Sequence, residues 1–447
     1  MKKTIYLLLF VVMTQAVFSQ KTLSVDEAVR IALQRNVTLM KTGENLKSTQ
    51  TGVQTAYGAL LPSVNGQVAW TWNKSTTIAG LYGPNSPSFQ LDTRTYTAGV
   101  ASNWTLFDGL ANFANLSKNE KTFESAKFQF SKLKQDVVFQ TLSSFYDVLD
   151  AQKLLAVKEE DLKWNQKNFE IISERNKLGA VTLADVYSQQ VKTGNAELEL
   201  IKAKNSYQTL KSAFQYYLGL DVLEEYSLQD PAPLDMTKAD VGLQTENEQI
   251  TNSINEALKS RDDYLSAKLS LQSAQESITI AKAGYLPSVT NQVSIGSQVD
   301  DVKNLFKTTN YSVGLSLNIP IFSGWSTSSQ IQMAQVDTKV KEIELEDLSK
   351  QIKRDIQRNF LDLQSAYKAI DVSTQNVKAA EENRRIQQEK YSLGSTTLLD
   401  VLIANSDYTT AVTNLINSQY AYRKLKDEAR YLLGKLDYKN FENKGAF

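Results

Sequence analysis

The sequence predicts a mainly α-helical chain with a membrane β-barrel part, built from a duplicated unit. Three observations carry this. The 447 residues include only 19 Gly and 7 Pro, about half of the roughly 12% usual for the two together, which favours long uninterrupted helices over many short strands. Sequence motifs recur once along the chain at a fixed spacing of 215 residues. Four segments of roughly nine to eleven residues alternate apolar and polar side chains, the length that crosses a bilayer when tilted.

Composition also excludes chemistry. There is no Cys and no His, and 49 basic residues balance 49 acidic ones. Disulfides, thiolate metal sites, a lipidated cysteine anchor, imidazole bases and His-ligated metals are all absent. A balanced charge gives no electrostatic case for nucleic acid, and no cofactor is expected. Residues 1–19 read as a secretory signal: Met1-Lys2-Lys3 is basic, Ile5 to Val12 is too short to span a bilayer, and Val17-Phe18-Ser19 offers small residues at the cleavage spacing. An uncleaved anchor is the rival reading. Removal of the signal leaves the mature chain two charges negative. No later stretch forms an apolar 20-mer, so the exported chain is either soluble or lodged in a membrane as β-structure.

The repeat organises the rest. Leu178-Gly179 recurs as Leu393-Gly394, Asp185-Val186 as Asp400-Val401, and Trp104-Thr105-Leu106-Phe107-Asp108-Gly109 as Ile319-Pro320-Ile321-Phe322-Ser323-Gly324. Upstream, Leu61-Pro62-Ser63-Val64 matches Leu286-Pro287-Ser288-Val289 at a spacing of 225, so the first copy carries ten extra residues between its strands. Repeat 1 is expected over 20–220, with a helix at 24–57, strands at 64–73 and 95–107, a long helix at 110–177 and a helix at 183–218. A linker or equatorial segment follows at 221–250. Repeat 2 is expected over 251–434, with a helix at 252–283, strands at 288–298 and 310–322, a long helix at 326–392 and a helix at 398–433; 435–447 is a tail. Leu345, Leu348, Ile352, Ile356, Phe360, Leu363, Tyr367 and Ile370 recur at steps of 3 and 4, a coiled-coil-like stripe. A helix of 67 residues would be a rod of about 100 Å, so two half-length helices are expected to lie alongside each long one. Pro62 and Pro287 mark helix ends that turn into strands.

In the strands, Val64, Gly66, Val68, Trp70 and Trp72 oppose Asn65, Gln67, Ala69 and Thr71; Tyr311, Val313, Leu315 and Leu317 oppose Ser312, Gly314 and Ser316. The non-apolar face is small and uncharged, as a water-filled lumen needs. Trp70, Trp72, Trp104 and Tyr311 are candidates for an aromatic girdle against outer-membrane lipid. A half-buried sheet of a soluble domain fits the alternation equally, and export, long rods and the lack of another sheet partner favour the membrane. Four strands cannot close a membrane barrel, which needs about eight. A dimer would supply eight strands and a filled interior, a trimer twelve and room for a channel.

A duplicated helix–strand–strand–helix–helix unit, with Leu-Pro-Ser-Val before the first strand and Leu-Phe-Asp-Gly after the second, resembles the TolC-type outer-membrane efflux channels over about Leu23 to Leu433. The resemblance implies a homotrimer in the Gram-negative outer membrane, with a shared twelve-stranded β-barrel and a trimeric α-barrel of long coiled-coil helices reaching through the periplasm. It implies a passive exit duct, not an enzyme, for efflux or type I secretion. The implied partners are a periplasmic adaptor (membrane fusion protein) and an inner-membrane transporter. It further implies that the adaptor docks on the turns Gly179-Ala180-Val181 and Gly394-Ser395-Thr396. Asp400 would line the narrow end of the tunnel, and Asp185 and Tyr391 would share a closing hydrogen bond.

Ala184, Thr396 and Ile403 depart from the family pattern, where a polar residue, an arginine and a second inward aspartate are expected. The closed state is therefore expected to hold by fewer links and three carboxylates. Beside these roles, Thr182-x-x-Asp185 and Thr397-x-x-Asp400 both fit a capping box. Trp164 and Tyr187 read as packing residues, and Lys132, Lys134, Lys153, Lys158 and Lys163 as solvated rod faces. The alternative is a soluble exported coiled-coil adaptor or structural rod.

Overall fold

The computed structural model describes residues 21–77, 89–231, 247–439 and 441; the signal lies outside them. Repeat 1 contains β1 (Lys21–Leu23), α1 (Val25–Arg35), α2 (Val37–Gly58), β2 (Ser63–Thr77), β3 (Phe89–Phe107), α3 (Ala111–Lys177) and α4 (Leu183–Tyr217). After β4 (Tyr226–Leu228), repeat 2 runs α5 (Asn247–Ser260), α6 (Asp262–Ala283), β5 (Ser288–Val299), β6 (Asn310–Asn318), α7 (Ser326–Ser392) and α8 (Leu398–Leu432). The two long helices, α3 and α7, each have 67 residues, a length of about 100 Å. Helices α2, α4, α6 and α8 pack on α3, and α5, α6 and α8 on α7. Among the described residues no helix is long and apolar enough to cross a membrane.

Several expected boundaries are corrected. The single helices expected at 24–57 and 252–283 are each two. Asn36 and Arg261, 225 residues apart, break them with extended backbone at φ −63 and −70. The Asn36 side chain accepts from the Thr38 and Leu39 amides, so it caps α2 instead of continuing α1. Arg261 donates to the Leu432 carbonyl and the Asp263 carboxylate. The break seats the ends of α4 and α8: Gly219 (φ +69) lies against Arg35, and Gly434 (φ +67) against Ser260 and Arg261. Both glycines close left-handed helix caps.

The strands expected at 64–73 and 95–107 extend to Thr77 and back to Phe89, because the β2–β3 ladder continues beyond the end of β5. The strand expected at 310–322 stops at Asn318, before Pro320, which has no amide to donate. The strand expected at 288–298 runs one residue further, to Val299. The segment 221–250 is not only linker. Its β4 pairs in parallel with β1, and α5 begins inside it.

The core sits at this equator, not along the rods. Phe145, Leu149 and Val148 of α3 are buried with Val29 and Ala32 of α1, Phe214 of α4 and its C-cap Leu218, Tyr226, Tyr420 and Leu436. Phe145 packs edge-on to Phe214 at 5.9 Å. Leu436 brings the tail expected at 435–447 into the core.

The four-stranded sheet has the order β2-β3-β5-β6, all antiparallel. Directly paired residues share a face, so the register decides whether the four alternations agree. They do. Trp70 pairs Tyr96, which pairs Val299; Gly66 pairs Val100, which pairs Ile295, which pairs Tyr311. One face thus collects Val64, Val68, Trp70, Val100, Val293, Ile295, Val313 and Leu315. The opposite face carries Asn65, Gln67, Thr97, Gly99, Gln292, Ser294, Gly296 and Ser316. Gly99 and Gly296 pair on that second face, and a Cβ on either would lie 2.9 Å from a backbone oxygen of the partner strand, so both must be glycine.

Candidate functional site

At the ends of the rods away from the sheet, two turns join α3 to α4 and α7 to α8. They are built alike. Gly179 and Gly394 both have φ +73, the left-handed region a Cβ disfavours. Gly179 donates to the Asn176 carbonyl at 2.9 Å and Ala180 to the Arg175 carbonyl at 2.8 Å; Gly394 and Ser395 repeat this with Tyr391 and Lys390 at 3.1 and 2.9 Å. This is a Schellman closure. A capping box opens each following helix: the Asp185 amide donates to Thr182 Oγ1 at 3.2 Å and the Thr182 amide to Asp185 Oδ2 at 3.0 Å, with Thr397 and Asp400 equivalent at 3.3 and 3.0 Å. Helix geometry alone fixes these turns and leaves their apices open: Leu178 and Leu393 are 84% and 81% exposed.

The two aspartates are not equivalent. Asp400 Oδ2 accepts from Thr397 Oγ1 at 2.6 Å, from the Thr397 amide, and from Thr396 Oγ1 at 2.8 Å. The Thr397 hydroxyl, then the Thr396 hydroxyl, then the Thr397 amide hold its carboxyl below the usual range. Thr396 therefore serves Asp400 directly. Val181, the residue at the position equivalent to Thr396, brings no hydroxyl to Asp185, and its carbonyl accepts from Asn176 at 2.8 Å.

Tyr391 and Asp185 do not meet in a hydrogen bond. Asp185 Oδ2 is taken by its own cap. Tyr391 packs with Ile172, Leu398 and Leu402, beside Trp164, Val181 and Val186, and its hydroxyl oxygen is buried without a hydrogen-bond partner. Burial first, then the charge of Asp185, raises its pKa, and Arg175 opposes them. Arg175 is the residue the sequence did not single out. Its guanidinium lies 5.2 Å from the centre of the Tyr391 ring and donates to the Tyr391 carbonyl at 3.5 Å, so it ties α3 to α7. The signal was its place two residues before Lys177, equivalent to Lys390 of the second copy. A further link lies up the rods: Asp161 Oδ1 accepts from Asn405 at 2.8 Å and Thr409 at 3.3 Å.

The four girdle residues share the apolar face of the sheet and are exposed. Trp104 lies near the helical end, donating to the Leu60 carbonyl at 3.0 Å. Trp70 and Trp72 lie at the far end, where Trp72 donates to Asp92 at 2.6 Å. Tyr311, paired with Ile295, lies between.

An open sheet, uncharged on one face and apolar on the other up to the far end of β2 and β3, where Lys74, Asp92 and Arg94 lie, set on a duplicated pair of rods, defines a protomer of a membrane channel. The outer membrane efflux protein family matches residues 28–220 and 253–434. The chain belongs to that family. It is 23% identical to the outer membrane protein TolC of Vibrio cholerae serotype O1 over 389 residues, which cover 86% of this chain and 84% of the relative. It is 20% identical to the proteases secretion protein PrtF of Dickeya chrysanthemi, covering 96% and 92%. Its fold is similar to the Campylobacter jejuni CmeC outer membrane channel, with a TM-score of 0.83 at 15% identity and coverage of 94% and 88%. It is also similar to VceC of Vibrio cholerae, with a TM-score of 0.79 at 20% identity and coverage of 92% and 96%. The chain is an outer-membrane channel for efflux or type I secretion, with its helical part in the periplasm, and the family is one of transport channels.

Proposed function

We propose that three copies form a passive channel-tunnel for small molecules or secreted polypeptides, opened at its periplasmic tip by an adaptor and an inner-membrane transporter. The observation that carries this is the open sheet. Its four strands are in phase, yet among the described residues both outer strands lack a second partner, so closure needs other copies. Two copies give eight strands and a filled barrel, three give twelve and a lumen. From Val289 to Val299 the apolar face runs about 33 Å along the strand at about 3.3 Å per residue. At a tilt of about 40° this is a band of about 25 Å, the height of a barrel's lipid-facing surface. Trp104 at one end of the band and Trp70 and Trp72 at the other then sit at the two lipid boundaries.

Adaptors would dock on Gly179, Ala180, Val181, Gly394, Ser395 and Thr396, where the open leucines Leu178 and Leu393 offer apolar anchors. Tyr391, with Arg175, holds the two helix pairs of one protomer together. Asp185 shapes its turn, and Asp400 places a carboxylate beside the tunnel's narrow end. Opening is a two-state change of packing at one end of a coiled coil. Membrane fractionation tests the reading. Detergent-resistant trimers in the outer-membrane fraction support it; a soluble monomer would instead mark a periplasmic adaptor or rod.

A further inference from the structure

Across the described residues of β2, β3, β5 and β6, the charged side chains are Lys74, Asp92 and Arg94 alone. All three stand at the far end of β2 and β3, on the face that carries Trp70, Trp72 and Tyr96. Arg94 is paired with Trp72, and Lys74 with Asp92. The opposite end of the apolar band is different. Beyond Trp104 the next charged residue is Asp108, whose carboxylate already accepts from the Asn112 amide at 2.9 Å. The rods lie in the periplasm, so the cations mark the outer leaflet.

Their height can be worked out. The row Trp70–Tyr96–Val299 ends the apolar band. At about 3.3 Å per residue and a tilt of about 40°, Arg94 stands about 5 Å beyond that row and Lys74 about 10 Å. A bilayer about 40–45 Å thick with a hydrocarbon core of about 30 Å leaves about 5–7 Å of headgroup on each side. Arg94 therefore falls in the headgroup layer, and the long Lys74 side chain can bend back into it.

Both cations are uncommitted. Arg94 and Lys74 are exposed, and among the described residues neither has an ion-pair partner. Asp92 is engaged elsewhere: its Oδ1 accepts from Trp72 Nε1 at 2.6 Å, which fixes the indole beside Arg94. Lys74 and Arg94 are diagonal neighbours, a relation of about 7–8 Å that two long side chains can close around one tetrahedral anion. Arginine offers a planar fork to two phosphate oxygens and lysine a point charge. Set against Asp92, the pair leaves one net positive charge. The β5–β6 loop cancels none of it, because Asp300 and Asp301 are balanced by Lys303 and Lys307.

We propose that Arg94 and Lys74 bind the phosphate of a phosphorylated glycolipid of the outer leaflet, one lipid per copy, whose acyl chains lie along the face bearing Trp70 and Trp72. The site continues the lipid-facing band and matches it in charge. It goes beyond the channel reading and rests on that reading's membrane band.

Native mass spectrometry of the detergent-extracted channel tests this. The probes are lipid A with two phosphates, the same lipid without phosphate, and inorganic phosphate. Wild type should hold the phosphorylated lipid at least about tenfold more tightly than the phosphate-free one, and Arg94→Gln with Lys74→Gln should erase that preference. Arg94→Lys keeps the charge but loses the fork, and should fall between. Equal binding of the two lipids by wild type overturns the phosphate site, a comparison that needs no variant to fold. A double variant with the wild-type preference overturns the assignment to these residues. Inorganic phosphate bound as tightly as lipid A overturns a lipid occupant. Each of these results leaves the channel reading standing, because that reading fails separately, on a chain absent from the outer-membrane fraction.

Discussion

Arg175→Ala separates the closing contact found at the tip from the one the family resemblance implies. Arg175 of α3 lies over the Tyr391 ring at 5.2 Å and donates to the Tyr391 carbonyl. A cation over an aromatic face contributes about 0.5–1 kcal/mol at an exposed site and about 2 kcal/mol when desolvated; about 1 kcal/mol suits this half-buried pair. If three copies open together, the closed tip loses about 3 kcal/mol, a shift on the order of a hundredfold in the open-to-closed ratio at about 1.4 kcal/mol per tenfold. Tyr391→Phe should do the opposite of what a Tyr391–Asp185 bond would require. It keeps the ring and the cation contact and removes a buried hydroxyl that has no partner, a group that costs about 1–3 kcal/mol to leave unsatisfied. Single-channel recording in planar bilayers reads both. The expected outcome is a large rise in open probability for Arg175→Ala and none for Tyr391→Phe. Equal opening by Tyr391→Phe, or a silent Arg175→Ala, refutes this assignment of the latch.

Asp400→Ala should reduce cation selectivity in the same bilayers. A carboxyl held low by Thr397 and Thr396 gives a capping contribution that is complete above the unfolded pKa and fades as pH falls through the folded one. Wild-type selectivity should therefore persist down to about pH 4, the ordinary Asp value, and a loss already at neutral pH would contradict the ring. Asp427, buried beside Tyr146 at 3.2 Å, has a pKa raised chiefly by burial. Its contribution is full below the unfolded pKa and falls as pH rises through the folded value. Asp427→Asn keeps an acceptor for Tyr146, so its melting temperature should match or exceed wild type at neutral pH, the gap closing in acid. Phe145→Ala, at the centre of the equatorial core, should cost about 3–5 kcal/mol in a denaturant titration of the detergent-solubilised protein.

Much of the architecture was legible because it rests on periodicity. The alternation along Val64 to Trp72 and Tyr311 to Leu317 sets which side chains share a face, and the 215-residue spacing identifies the tip turns as a pair. The helix breaks were hidden because apolar spacing continues through Asn36 and Arg261, and only tertiary partners, Leu39 and Leu432, show why the chain bends there. β1 and β4 are three residues each, too short to alternate, and they exist because they pair with each other across some 200 residues of chain. At the tip, the caps of Asp185 and Asp400 follow from local spacing alone. Arg175 on Tyr391 is a contact between repeats, which no local pattern records.

The most direct measurement is a cryo-electron microscopy map of the detergent-extracted protein. The expected map has three copies around one axis, twelve strands enclosing a lumen, and paired rods of about 100 Å below them, narrowing at the turns that carry Gly179 and Gly394. A map of two copies with eight strands and a filled interior, or of a single soluble chain with a closed sheet, would contradict it.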